Sequence, residues 1–153
     1  MAQPIVVVAS VVQGAADAFA IATINTGLAG NTEQGYRLKL VQYEVPNLPN
    51  AVTSNWEFAL SRVTKAAVPN VSDNDVLFKD KRQGTFLTSG AVIQDLVQEF
   101  EPISDIIVIE TQLFLVFDSN ATLQVNSLFV RLEFEPVKVS LADKVAILQN
   151  SIG

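Results

Sequence analysis

The chain has 153 residues, of which 49% are hydrophobic and 17% are charged, a composition far from that of disordered proteins. Its formal charge is −6, from 16 acidic and 10 basic residues, and it contains no histidine and no cysteine. These counts exclude disulfides, thiolate chemistry and histidine-based triads, and they remove the commonest transition-metal ligand and the commonest general base.

The N-terminal part of the chain is patterned as strands, because its apolar residues recur with a period of two. Residues 4–12 (PIVVVASVV) are rich in β-branched residues and predict a leading strand within an N-terminal arm at 1–13. The alternation in residues 35–45 changes parity after Leu40, as happens at a β-bulge. Strands are predicted at 17–25, 35–45 and 55–64.

The middle of the chain is more polar and is predicted to contain short elements. Brief strands are expected at 75–79 and 84–88. Apolar residues at helical spacing then predict a short helix over 91–100, which Pro102 ends.

Two strongly apolar segments surround the turn at 118–120. Residues 113–117 (LFLVF) have no polar face, which indicates burial on both sides or an apolar face offered to a partner. The parity of the last strand shifts near Asn126-Ser127, which predicts a second bulge. We interpret 111–135 as the closing strand pair of a sandwich. Strands are predicted at 104–110, 111–117 and 122–135.

The C-terminal tail, residues 140–153, begins with an S-x-x-D capping pattern at Ser140 and predicts a short helix. The sequence shows no repeat at a fixed period and no low-complexity linker. A chain of this length buries about 70% of its unfolded surface on folding. We therefore expect one domain, residues 1–153.

Eight predicted strands with an extra leading strand indicate an all-β fold, an eight-stranded antiparallel sandwich or barrel for which the jelly roll is the common solution. With a short helix near 91–100, a long final strand and a small helical tail, this arrangement resembles single jelly-roll viral capsid proteins. The resemblance implies a structural subunit of the virion that assembles with copies of itself, or with a second capsid protein, into an icosahedral shell. It implies no catalysis and no cofactor.

The chain departs from many such proteins, because it lacks the basic N-terminal arm that packages the genome and its first positive side chain is Arg37. The short basic cluster at 79–82 is interrupted by an acid, which disfavours direct nucleic acid binding. The departure resembles capsid proteins whose shell encloses an internal membrane. The N-terminus lacks a positive n-region, and Gln13 and Asp17 interrupt its apolar stretch, so neither a signal peptide nor a transmembrane segment is predicted.

Carboxylates provide the weak candidates for chemistry. Asp73 and Asp75, with Asp80 nearby, are candidates for a calcium site, but they lack the spacing of a calcium-binding loop. Paired glutamates are expected on a solvated surface rather than in a hydrolytic cleft, so we predict no catalytic residue. These pairs are Glu99 with Glu101 and Glu133 with Glu135.

A carbohydrate-binding or other ligand-binding β-sandwich module is the alternative function. Its ligand would lie among the loops around 26–34, 46–54 and 66–75. Trp56, Tyr36 and Tyr43 are candidates for an aromatic sugar platform, but Trp56 and Tyr36 fall in the inward sets of their strands and favour core packing. Asn70 and Asn120 match the glycosylation pattern, which we interpret as chance.

The role of residues 4–12 stays open at this point. An apolar strand of this kind is used either at the edge of the domain's own core or in contact with a sister subunit.

Overall fold

The computed structural model describes residues 3–15, 18–45, 52–86, 98–103, 105–119 and 127–152. Within these ranges the chain forms nine strands and one helix. They are β1 (Ile5–Val12), β2 (Ala20–Asn25), β3 (Gln34–Glu44), β4 (Val52–Ser61), β5 (Val76–Phe86), β6 (Gln98–Phe100), β7 (Ile107–Val108), β8 (Gln112–Ser119), β9 (Ser127–Lys138) and α1 (Leu141–Ile152).

The strands form two antiparallel sheets with a shared hydrophobic core. Sheet A has the order β1-β9-β3-β6, with β7 also paired to β3, and sheet B has the order β2-β8-β4-β5. Buried residues of both sheets belong to one core cluster. The predicted all-β antiparallel sandwich is confirmed, as are the leading N-terminal strand and the C-terminal helix.

Strand pairing is nested along the chain. The first strand, β1, pairs with β9, then β2 with β8, β3 with β6 and β7, and β4 with β5. The adjacent strands β8 and β9 consequently lie in different sheets, so the predicted pairing within 111–135 is wrong. Both segments are apolar because they line the same core from opposite sides, where Leu115 and Leu132 are fully buried.

β8 lies inside sheet B, between β2 and β4. Leu115 and Phe117 belong to the core, and Val116, which faces the opposite side, is also fully buried. Burial on both sides, one of the two roles predicted for 113–117, is therefore observed at Val116 but only in part at Phe114, which is partly exposed on the same face.

The bulge predicted in residues 35–45 is confirmed. The register between β3 and β9 shifts between Leu38 and Leu40, one residue before the predicted change of parity. Because of the extra residue, Leu38 and Val41 are both buried although they are three positions apart.

β5 corrects the prediction of two short strands at 75–79 and 84–88. A single strand runs from Val76 to Phe86 and pairs with β4, while residues 87–88 lie outside the described residues. Its charged centre is compatible with a strand because β5 pairs with β4 alone among the described strands, and edge strands tolerate charge.

The helix predicted over 91–100 is corrected at its C-terminal end. Residues 91–97 lie outside the described residues, and Gln98–Phe100 form β6 rather than helix. Phe100 pairs with Val41 of β3, and its ring centroid lies 4.5 Å from that of Phe78. Sheet pairing and aromatic packing therefore outweigh the helical spacing in this segment.

Several further boundaries differ from the predictions. The strands predicted at 17–25, 55–64 and 111–117 are β2 (Ala20–Asn25), β4 (Val52–Ser61) and β8 (Gln112–Ser119), and β8 includes two residues of the turn predicted at 118–120. In the described part of 104–110, Ile107–Val108 form a strand of sheet A. The last strand runs from Ser127 to Lys138, beyond the predicted end at residue 135. The bulge predicted near Asn126-Ser127 includes Asn126, which lies outside the described residues.

The tail helix α1 is capped as the sequence indicates. The Asp143 amide donates to Oγ of Ser140 at 3.1 Å, so the serine satisfies one of the free amides of the first turn. Within the described ranges, no helix has the length and apolar content needed to cross a membrane.

Candidate assembly surface

β1 is an edge strand of sheet A. It pairs with β9 along its whole length, from Ile5 opposite Phe134 to Val12 opposite Ser127. Among the described strands, none pairs with its other side. Edge strands present a row of backbone donors and acceptors that can accept another chain.

The two faces of β1 have different environments. Ile5, Val7 and Ala9 pack against the core, whereas Val8 on the outer face is 71% exposed. Residues 4–12 therefore provide a core edge strand, one of the two roles left open by the sequence, and their outer face remains exposed and apolar.

Phe129 of β9 enlarges this exposed surface. It lies opposite Ser10, between the positions of Val8 and Val12, and it is partly exposed. Val8 and Phe129 line a shallow depression of about 330 Å³ on the outer face of sheet A. We name the set Val6, Val8, Val12 and Phe129 the β1 patch.

β1 itself contains no ionisable side chain, but charged residues of β9 lie directly opposite two valines of the β1 patch, Arg131 opposite Val8 and Glu133 opposite Val6. On the neighbouring strand, Arg131 bonds to Glu133 at 3.1 Å. Gln42 of β3 bonds to Glu99 of β6 at 2.6 Å. An apolar centre with a polar rim is the usual composition of a protein interface.

Gln13 fixes the end of β1 to the body of the domain. Its buried Nε2 donates to the backbone oxygens of Ala18, at 2.6 Å, and Ser119, at 3.3 Å. Because β1 is held by this side chain and by the whole length of β9, it is part of the sandwich and presents its outer face from a defined position.

The weak metal candidates lie around a lysine. Nζ of Lys65 is 2.7 Å from Oδ2 of Asp75 and 3.8 Å from Oδ2 of Asp73. Asp80 is elsewhere and accepts a hydrogen bond from the Tyr43 hydroxyl. In the part of the chain that the structure describes, no three His, Cys, Asp or Glu side chains meet as a metal site.

The predicted glutamate pairs lie on sheet A and its margin. Glu133 and Glu135 each pair with an arginine of that sheet, and Glu99 bonds to an amide side chain of β3. Glu101 is exposed. Glu135 shares Arg37 with Asp105, and no described contact joins the two members of either predicted glutamate pair.

The aromatic residues considered as a sugar platform belong to the core. Trp56 and Tyr43 are buried, with ring centroids 6.2 Å apart in an edge-to-face arrangement. Tyr36 is partly buried and packs on Phe134. The prediction of core packing for Trp56 and Tyr36 is confirmed.

The loops proposed for a ligand are described in part. In the first, Thr26 donates from Oγ1 to the backbone oxygen of Glu110 at 2.7 Å and Leu28 is buried. Of the second, residues 46–51 lie outside the described residues, and so does Asn120. Asn70, in the third, is exposed.

A nearly buried ion pair joins Arg62 to Glu110, a contact that the sequence pattern does not reveal. Nη1 of Arg62 lies 2.8 Å and 2.9 Å from the two carboxylate oxygens, and Nη2 donates to the backbone oxygen of Ile107 at 2.8 Å. The two side chains are 11% and 12% exposed. The pair connects the end of β4 to the segment between β7 and β8.

We expect Arg62→Met to reduce the free energy of unfolding by about 3–5 kcal/mol, because it leaves the Glu110 carboxylate buried without its partner. Denaturant unfolding measures the change. The matched control is Lys138→Met, which breaks the exposed pair with Glu33 and should cost less than about 1 kcal/mol. Equal effects of the two substitutions would contradict a structural role for the Arg62 pair.

Comparison of the chain with protein-family models and with curated protein sequences finds no match.

Proposed function

We propose that this chain is a structural, self-assembling subunit, specifically an icosahedral viral capsid protein built on a single jelly roll. The observation that carries the proposal is the nested strand pairing, in which β1 pairs with β9, β2 with β8, β3 with β6 and β7, and β4 with β5. If β6 and β7 are counted as two pieces of one edge strand, each sheet has four strands. Eight strands nested across two sheets are what a jelly roll requires, and that fold serves capsid proteins and lectins.

The β1 patch supports assembly as the use of this fold. A fold alone does not define a function, so the proposal also needs a surface with the chemistry of an interface. The exposed valines of β1 form an uncharged apolar strip on a sheet edge that no described strand covers, an arrangement that soluble monomers avoid because it promotes association. In an assembled shell, the neighbouring subunit covers this strip.

The charge distribution supports protein partners over nucleic acid. The chain is acidic, and one residue of the basic cluster at 79–82 is engaged in contacts within the domain. Lys79 binds the Pro69 carbonyl and pairs with Glu57 at 3.5 Å. We therefore propose that the partners are copies of this chain, with or without a second capsid protein. We also propose that the shell encloses an internal membrane.

Purified protein tests this proposal by its size. Light scattering and negative-stain electron microscopy are expected to detect shells or other large regular oligomers as the concentration is raised or salt is added. A protein that stays monomeric in all these conditions, and also with co-expressed partner proteins from its source, would contradict the proposal. If such a monomer binds on a glycan array, the carbohydrate-binding alternative takes its place.

A further inference from the structure

A groove lies between α1 and the segment that precedes β8. Its volume is about 350 Å³, and Ile109 and Thr111 form part of one wall. The helix contributes exposed or half-exposed apolar side chains to the other wall. These are Leu141, Val145 and Leu148, and we name the whole depression the α1 groove.

Lys144 is the unusual residue of the α1 groove. It lies on the helix between the apolar residues, is only 5% exposed and lines the groove. Its Nζ has no hydrogen-bond partner in the part of the chain that the structure describes. A buried ammonium without a partner is unfavourable. Nζ has almost no accessible surface in the isolated subunit, so a carboxylate would relieve that cost once the lysine side chain turns toward the groove.

The acidic side chain that lines the groove does not pair with this lysine. Glu110 also lines the groove, but both of its oxygens accept from Nη1 of Arg62. The Arg62 pair is electrically neutral as a unit. The α1 groove therefore retains one uncompensated positive charge within apolar walls, in a chain whose formal charge is −6.

The same chain carries a segment with the complementary chemistry. Ile103 is the most exposed of the large hydrophobic residues among those described. Glu101, two residues earlier, is exposed and has no ion pair among the described residues. Pro102 between them restricts the backbone, so the apolar side chain and the carboxylate are presented from a stiffened segment.

We propose that the α1 groove receives residues 101–103 of a second copy of this chain, with Ile103 between the apolar walls and the Glu101 carboxylate paired with Lys144. This inference rests on the proposed self-assembly and names one of its contacts. The two surfaces are different parts of the molecule, so the contact is heterologous and propagates from subunit to subunit. Contacts of that kind close into rings when the rotation between neighbours allows it, as shells require.

Charge exchange tests the contact directly. Lys144→Glu and Glu101→Lys each place like charges together, and each is expected to raise the concentration needed for assembly by about tenfold or more. The double variant restores an opposite pair and should assemble at a concentration near that of the wild type. Lys138→Glu is the matched control, since Lys138 is exposed and lies outside the groove, and it should assemble as the wild type does.

Two neutral variants separate the contact from folding. Ile103→Ser changes an exposed side chain and should leave thermal unfolding unchanged while weakening assembly. Lys144→Met removes the unpaired buried charge and retains the length of the side chain, so its melting temperature should equal or exceed that of the wild type while assembly weakens. A lower melting temperature in Lys144→Met with unaltered assembly shows a structural role instead and overturns the contact.

The outcomes distinguish this contact from the function on which it rests. If the wild type forms shells and the single variants assemble equally well, the α1 groove contact is wrong and the capsid proposal stands. If the double variant fails to regain assembly although it folds, the pairing of Glu101 with Lys144 is wrong. Absence of wild-type assembly under every condition overturns both.

Discussion

Replacing Leu115 with aspartate is expected to eliminate the soluble, folded protein. Leu115 is fully buried in β8, opposite Ala22 of β2 on one side and Leu60 of β4 on the other. The substitution removes apolar burial worth about 2–5 kcal/mol and adds several kcal/mol for a desolvated charge. That sum is comparable to the whole stability of a domain, about 5–15 kcal/mol.

The soluble fraction after expression and the circular dichroism of any recovered protein measure this effect. Val8→Asp is the control, because it introduces the same charge at a position that is 71% exposed and should leave a soluble, folded protein. Recovery of folded but unassembled Leu115→Asp protein would place Leu115 at an interface between subunits and contradict its position in the core.

Replacing Val8 with lysine is expected to abolish assembly without unfolding the subunit. Val8 is at the centre of the β1 patch, and a lysine there must lose its hydration when a neighbouring subunit covers the patch. A desolvated charge without a partner costs several kcal/mol, which corresponds to an increase of about 100-fold or more in the concentration required for assembly. Light scattering against concentration measures that threshold.

The matched control for this substitution is Val71→Lys. Val71 is 77% exposed in the loop between β4 and β5, outside the β1 patch, so the same change of charge should leave both assembly and the melting temperature as in the wild type. Normal assembly of the Val8 variant would show that the β1 patch is not covered in the shell.

Individual strands could be predicted from the sequence where alternation is strong and local. Residues 55–64 contain one alternating apolar set, and in residues 35–45 the change of parity indicates even the bulge near Leu40. The cap of α1 is likewise local, since Ser140 and Asp143 are three residues apart. These features depend on neighbours within a few residues, and the sequence shows such neighbours directly.

Partners distant in sequence could not be predicted in the same way. The apolar content of 111–135 suggests that its two strands pair with each other. They lie in different sheets, and a strand whose apolar side chains face the core has the same sequence pattern in either sheet. Residues 98–100 followed the helical spacing of the preceding segment, yet their backbone pairs with β3. The contact of Arg62 with Glu110 spans 48 positions and leaves no periodic signal.

The candidate surfaces were foreseen in part for the same reason. Residues 4–12 stood out because the strand is apolar on both faces, and one of those faces is exposed. Lys144 gave no sign in the sequence, since a lysine on a short helix is ordinarily solvated and its burial follows from how α1 lies against the domain. That Nζ of Lys144 has no hydrogen-bond partner among the described residues can be recognised only from the three-dimensional structure around it.

The pairing of β1 with β9 has a consequence for the order of events in the cell. Ile5 pairs with Phe134, so β1 is synthesised long before its partner strand β9. Contacts between residues so far apart in sequence form late, because closing a long loop costs entropy before any contact offsets it. The β1 patch acquires its defined shape only when β9 is in place. If the chain assembles through the β1 patch as proposed, a subunit can present that patch only after β9 has been synthesised and paired with β1.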